Sequence, residues 1–275
     1  SNLRINFENE QDGSGSDSES RGSESESVMQ YSNRDSEGNG LTKEQIEYFK
    51  DSKVRDENGN LKVMYHGTSK GGFTTFDKAF SDDGRSLFFT DSLMVAKGYS
   101  GTYDEIIPNK KLSVKDMTDI IYDSYTWVEH EDGEYRIIHR NGEKYETEYS
   151  SKDYDEFVEY LMEEYGSSEV SGNYKVYLNL TNPLVVDADG NYWDELPSID
   201  DREVMTTRDY AEYAEANGYD GVIINDVFDI AIYASGKERF EPSTVVVAFN
   251  SEQIKSVYNE NPSRDVDIRY SNRDS

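Results

Sequence analysis

Cysteine is absent from the 275 residues, which excludes a disulfide framework, a thiolate zinc site and a cysteine nucleophile. Only oxygen and imidazole ligands remain for a metal, and none is expected. Basic residues are scarce: 28 Lys and Arg stand against 57 Asp and Glu, for a net charge of −29. Such a chain repels phosphate backbones and anionic lipid, which argues against bulk nucleic-acid or membrane binding and favours basic partners. No run of about 18 apolar residues occurs, and the N-terminus lacks the basic-then-apolar layout of a signal peptide. The chain therefore reads as soluble and cytoplasmic. Apolar residues make up 35%, below the roughly 45–50% of globular chains counted with glycine, so part of the chain is expected outside any packed core.

The present residues divide the chain into zones. Residues 1–40 are Ser-, Gly- and acid-rich, notably GSGSDSESRGSESES at Gly13 to Ser27, and are expected to be a disordered linker. A hexapeptide, Tyr-Ser-Asn-Arg-Asp-Ser, occurs at Tyr31 to Ser36 and again at Tyr270 to Ser275, bracketing the part that looks folded. It reads as punctuation between modules or as a duplicated linker, a spacer without function. Residues 41–258 form the expected domain, and 259–275 a second linker.

Within the domain, Thr42-Lys-Glu-Gln is a capping box that opens a helix to about Lys50. A strand is expected over Leu61 to His66, a flexible loop over Gly67 to Gly72, and a second strand over Ser86 to Thr90. Asp91 or Ser92 then caps a helix that stops at Gly101. Residues 103–172 turn acidic and Tyr-rich and read as an insertion, with helices near Ser113 to Tyr125 and Lys152 to Tyr165. A hairpin around Asn141-Gly142 lies between them. Strands are expected at Tyr174 to Leu180, Leu184 to Val186, Gly221 to Ile224, Thr244 to Phe249 and Ile254 to Val257, with a helix from Arg208 to Ala216. The implied class is α+β, with a strand core and peripheral helices.

No GxxxxGK[ST], HExxH, GxSxG or GxGxxG occurs. Asp187-Ala-Asp189-Gly190-Asn191 begins like a calcium loop, but its Gly is fourth and no Glu is twelfth, so a turn is expected. His130 and His139 fall in the charged insertion and read as solvated. His66 ends a strand and precedes Gly67-Thr68, which sets an imidazole beside backbone amides at the mouth of a sheet.

With Arg85-Ser-Leu-Phe-Phe-Thr-Asp-Ser-Leu-Met-Val-Ala-Lys-Gly-Tyr99 added, the chain resembles the ADP-ribosyltransferase superfamily of diphtheria-type toxins, poly(ADP-ribose) polymerases and phage-borne transferase domains. Tyr65-His66-Gly67-Thr68 looks like that family's first motif, and Phe88-Phe89-Thr90-Asp91 with Ala96 and Tyr99 like its second. Thr244 to Val257 is similar to its closing strand and third motif, and Tyr219 to Ile223 to a lead-in strand.

The resemblance implies a split β-sheet core that binds NAD as substrate. It implies that His66 orients NAD, that Gly67 and Thr68 clamp the carboxamide, and that Phe88, Thr90 and Tyr99 line the nicotinamide site. Phe89 is expected in the core. The family's catalytic Glu falls on Val245, so Glu252 and Gln253 just past the closing strand are the candidates to hold the reacting ribose, with Asp226 and Asp229 as further ones. The implied activity is mono-ADP-ribosyl transfer to a macromolecule, expected to be a basic protein, in a phage or mobile-element setting, with NAD hydrolysis as a side reaction. The alternative is a non-catalytic acidic binding protein, either a decayed transferase or a nucleic-acid mimic. Oligomeric state and acceptor stay open.

Overall fold

A computed structural model describes residues 31–108, 111–166, 170–230 and 240–269. The first thirty residues of the expected linker and the second hexapeptide, Tyr270 to Ser275, lie outside the described residues. The capping box at Thr42 starts α1 (Lys43–Tyr48), and β1 (Met64–Gly71) follows. Next come β2 (Leu87–Thr90) and α2 (Leu93–Ser100), whose N-cap is Ser92 and whose C-cap Gly101 sits at φ +78°. After the insertion come β6 (Val170–Leu178), β7 (Leu184–Asp187), α5 (Thr207–Ala216), β8 (Gly221–Val227), β9 (Ser243–Ala248) and β10 (Ile254–Ser256).

Seven of these strands form one sheet in the order β10-β6-β1-β2-β9-β8-β7, with only β7 and β8 parallel. Alternation along each strand sorts the side chains into two layers. Met64, Leu87, Phe89, Tyr174, Val176 and Val246 pack on one face, closed over by Phe76 and Ile268 from loops. On the other face Val222, Ile224, Val245 and Val247 bury against Tyr210, Ala211 and Ala214 of α5. Beside them Tyr65 and Tyr177 pack with Phe49 and with Ala96 of α2. The central strand β9 is buried along its whole length, as its Val-rich run requires.

The insertion forms a unit with its own core. Helix α3 (Val114–Ile121), strands β3 (Thr126–Glu131), β4 (Glu134–Asn141) and β5 (Lys144–Ser151), and helix α4 (Tyr154–Glu164) make a three-stranded meander covered by two helices. Met117, Ile121, Val128, Ile137, Phe157 and Leu161 form its interior. Strand β3 was not expected, because its sequence TWVEHE carries charges that face solvent.

Three expectations need correction. The segment Gly67 to Gly71 is not a loop: it continues β1, pairing Gly67 with Asn173 and Thr68 with Gly172 of β6. Residues 259–269 are not a free linker, since Ile268 is fully buried and its N–H donates to the Thr74 carbonyl at 2.8 Å. The first hexapeptide is not a spacer either. Ser36 N–H donates to the Leu61 carbonyl at 2.8 Å and Leu61 N–H to the Arg34 carbonyl at 3.2 Å, so the segment docks on the chain before β1. Tyr31 lies under the Arg55 guanidinium at 3.9 Å. Asp35, 2% exposed, accepts from Glu37 N–H, Asn39 N–H and the Tyr177 hydroxyl.

Candidate active site

The site lies where the large sheet splits. Among the described residues β1 and β2 pair only at Tyr65–Thr90. Continuing that antiparallel register would set Gly67 opposite Phe88, but the strands diverge and the His66 side chain enters the gap. Its Nδ1 lies 2.8 Å from the Phe88 carbonyl oxygen. A carbonyl only accepts, so Nδ1 carries the proton and donates, leaving Nε2 as an acceptor in the neutral ring. Burial pushes the His66 pKa below its ordinary value, which keeps the ring neutral. Phe76 meets the ring edge-on at 5.1 Å, and Phe89 packs tilted against it at 5.5 Å. Phe89 is in the core, 2% exposed.

Gly67 lies on the opposite face from His66, against α2. A Cβ there would stand 1.9 Å from the Ala96 carbonyl oxygen and 3.0 Å from Asn173 Oδ1, so only glycine lets β1 and α2 approach this closely. By alternation Phe88 projects to this same face and packs partly buried beside the α5 layer. Tyr99 stands two turns along α2 with 42% of its surface exposed. Thr68 Oγ1 accepts from Lys70 N–H at 3.0 Å, and Thr90 Oγ1 from Ser92 N–H at 3.1 Å; both hydroxyls serve local turns.

The acidic residues are placed unevenly. Val245, 2% exposed, pairs with Thr90 and with Ile224, in the row that carries the Tyr65–Thr90 contact. Glu252 and Gln253 lie past the other end of β9, in the 3-10 turn Ser251–Gln253, at least about 10 Å further along the strand. Gln253 Oε1 accepts from Phe249 N–H at 3.1 Å and Asn250 N–H at 2.9 Å, while Nε2 donates to the Asp220 carbonyl at 2.8 Å. Gln253 thus caps the end of β9, and the Ser251 hydroxyl beside it donates to the carbonyl of Phe76, whose ring packs on His66.

Asp91 Oδ1 accepts from Thr244 N–H at 2.8 Å and its Oδ2 meets Lys62 Nζ at 2.8 Å, which ties the end of β2 to the start of β9. Asp229, beyond β8, accepts from the Tyr99 hydroxyl at 2.6 Å. Burial pushes the Asp229 carboxyl up, against the opposing pull of that hydrogen bond. The Tyr99 phenol is pushed up by burial and by the Asp229 charge, with Arg208 of α5 acting the other way. No group of three or more His, Asp or Glu among the described residues could hold a metal ion. No helix among them is long and apolar enough to cross a membrane.

The family described as ADP-ribosyltransferase in polyvalent proteins matches residues 56–160 and 140–264. The chain belongs to this family. The two matches overlap within the insertion and together take in β1, β2, α2 and β9. Comparison with curated proteins and with solved structures gives no match. Family membership agrees with the fold, an α+β domain whose strand core splits at β1 and β2. ADP-ribosyltransferases use NAD as substrate.

Proposed function

We propose that the domain cleaves the nicotinamide glycosidic bond of NAD and transfers mono-ADP-ribose to a protein. The observation that carries this reading is the interrupted β1–β2 ladder at Gly67 and Phe88, with Tyr99 on α2 one turn beyond the Ala96 that packs on Gly67. A carboxamide is a peptide-like group with one acceptor and two donors. It can take the place of the missing strand partner beside Gly67, with Phe88 and Tyr99 offering aromatic faces to the cationic ring. Such faces contribute roughly 0.5–2 kcal/mol per good contact. Nε2 of His66 is free to accept from a ribose hydroxyl on the opposite side of the strand. Thr68 acts by shaping the irregularity within β1 before Gly71, and Thr90 by shaping the turn at the end of β2. Cleavage builds oxocarbenium character on the ribose, so a water-poor slot with a nearby carboxylate is the environment that favours it.

The acidic insertion, with its own core, supports a basic protein surface as acceptor. Water is the acceptor when none is bound, giving NAD hydrolysis. The setting that fits the family's description is a phage or mobile-element protein acting in the cytoplasm of a bacterial host. Val245 favours a second reading, a decayed transferase that only binds a basic partner.

Nicotinamide release from NAD by the purified protein, with and without host lysate, separates the two. Release that disappears in His66→Ala, with labelled ADP-ribose on a lysate protein, supports the transferase. Absence of both nicotinamide release and NAD binding refutes it.

A further inference from the structure

Val245 puts an apolar side chain where the family carries its carboxylate, yet the reaction still calls for an anion beside the ribose. The acids beyond the ends of β2 and β8 differ in what they can offer. Asp91 is committed to Lys62 and to the Thr244 amide, and Asp226 is solvent-exposed. Asp229 differs from both, because the backbone is shaped to deliver it. The β8–β9 register shifts between Ile224 and Val227, and Asp226 within that irregularity sits at φ +54°. Bulges of this kind re-aim the chain beside active sites. The next residues are pinned from both sides: Phe228 N–H donates to the Asn191 carbonyl at 2.9 Å, and Trp193 N–H to the Phe228 carbonyl at 3.0 Å. Asp229 leaves this anchored stretch two residues past the Val227–Ser243 pair, and its carboxylate meets the Tyr99 hydroxyl at 2.6 Å.

We propose that Asp229 is the catalytic carboxylate of this domain, accepting a hydrogen bond from a hydroxyl of the nicotinamide ribose while Tyr99 holds its other side. The assignment rests on the NAD-cleaving reading above. In the step it serves, the C1′–N1 bond of NAD breaks with its electron pair passing to the nicotinamide nitrogen, and nicotinamide leaves neutral. The acceptor oxygen, from a protein side chain or from water, forms the new bond to C1′ and releases its proton to solvent. Asp229 is not consumed. Its charge stabilises the cationic sugar between the two events, the role that a carboxylate on Val245 would have filled from the neighbouring strand. Buried carboxylates of raised pKa recur at catalytic centres, which agrees with the geometry.

The test uses the full chain with NAD, measuring nicotinamide release and, separately, NAD affinity by calorimetry, for wild type, Asp229→Asn, Asp229→Glu and Tyr99→Phe. Removal of one preorganised stabilising group slows an enzyme by about 10²–10³-fold. Asp229→Asn is therefore expected to lose about 100-fold or more in turnover with NAD affinity within about 3-fold, and Asp229→Glu to recover part of it. Tyr99→Phe keeps the ring but not the hydroxyl, and is expected to lose less than Asp229→Asn. Equal losses in those two variants would make Asp229 a mere anchor for Tyr99 and overturn the assignment. So would wild-type turnover in Asp229→Asn, since the transferase reading would then stand without this residue. A wild-type protein that neither binds NAD nor releases nicotinamide removes the reading itself.

Discussion

Asp35 belongs to a hexapeptide whose composition is that of a spacer, and its replacement by Ala tests whether the docked geometry stabilises the fold. The carboxylate accepts from Glu37 N–H and Asn39 N–H at 2.9 Å each, from Asn39 Nδ2 at 3.2 Å, and from the Tyr177 hydroxyl at 2.6 Å. Asp35 and Tyr177 are 2% and 3% exposed. Truncation leaves the Tyr177 hydroxyl buried without its acceptor, at a cost of about 1–3 kcal/mol, and removes two turn bonds worth about 0.5–1.5 kcal/mol each. Asp35→Ala should therefore lower the unfolding free energy by about 2–6 kcal/mol. Urea unfolding followed by tryptophan fluorescence and by far-ultraviolet dichroism reads this directly. Tyr177→Phe alone should cost about 1 kcal/mol, and the double variant less than the sum of the two, by about 1 kcal/mol of coupling. An Asp35→Ala protein within about 0.5 kcal/mol of wild type would refute the reasoning and restore the segment to a spacer.

Gly67→Ala forces β1 and α2 apart, because its Cβ would overlap the Ala96 carbonyl; overpacking of this kind costs about 1–3 kcal/mol, and NAD affinity measured by calorimetry should fall about tenfold or more. His66 titrates with a depressed pKa in the fold, so between that value and the unfolded value near 6.5 the unfolded chain holds more protons and stability falls as pH is lowered. His66→Phe should flatten that part of the urea-midpoint profile between pH 7 and 5. Lys255 is fully buried and its pKa is pushed down to about 8 by burial. The unfolded chain therefore binds more protons above pH 8, and stability should rise with pH between about 8 and 10 relative to Lys255→Met. Phe157→Ala empties the insertion core at a cost of about 3–5 kcal/mol. Hydrogen exchange should then accelerate across 112–165 while amides of β1, β2 and β9 stay protected, because the two cores share no residue.

Local signals were the most legible part of the fold. The capping box at Thr42, the Ser92 cap, the Gly101 stop and the Asn141-Gly142 turn each act within four residues, and the sequence carries that information in place. The hexapeptide was opaque because its polar residues are satisfied by Tyr177, Leu61 and Val63, all distant in sequence. The continuation of β1 through Gly67 and Thr68 depends likewise on β6, a hundred residues on, and glycine-rich sequence says nothing of it. In the site, the motif residues around the split were legible and Asp229 was among the acidic candidates, but its bond to Tyr99 was not. Glu252 and Gln253 follow the closing strand directly, whereas Asp229 gains its position from the irregularity at Asp226 and the pinning by Asn191 and Trp193.

The split also explains why this site resists replacement by ordinary sheet structure. A ladder interrupted inside a sheet leaves donors and acceptors that must be satisfied, and an edge there invites another strand. His66 answers half of this by giving its Nδ1 proton to the Phe88 carbonyl. The side chain thereby takes the place of a ladder bond to β2, while the Tyr65–Thr90 pair fixes the apex of the opening. His66→Gln keeps a donor, so it should keep the opening and the fold but lose the Nε2 acceptor. His66→Leu removes the wedge, and β1 and β2 are then free to zip toward Gly67–Phe88. On this argument Gln weakens NAD binding with the unfolding midpoint nearly unchanged, whereas Leu abolishes binding while matching or raising stability. A Leu variant that still bound NAD would show that the opening is held by α2 and the covering loops, not by the imidazole.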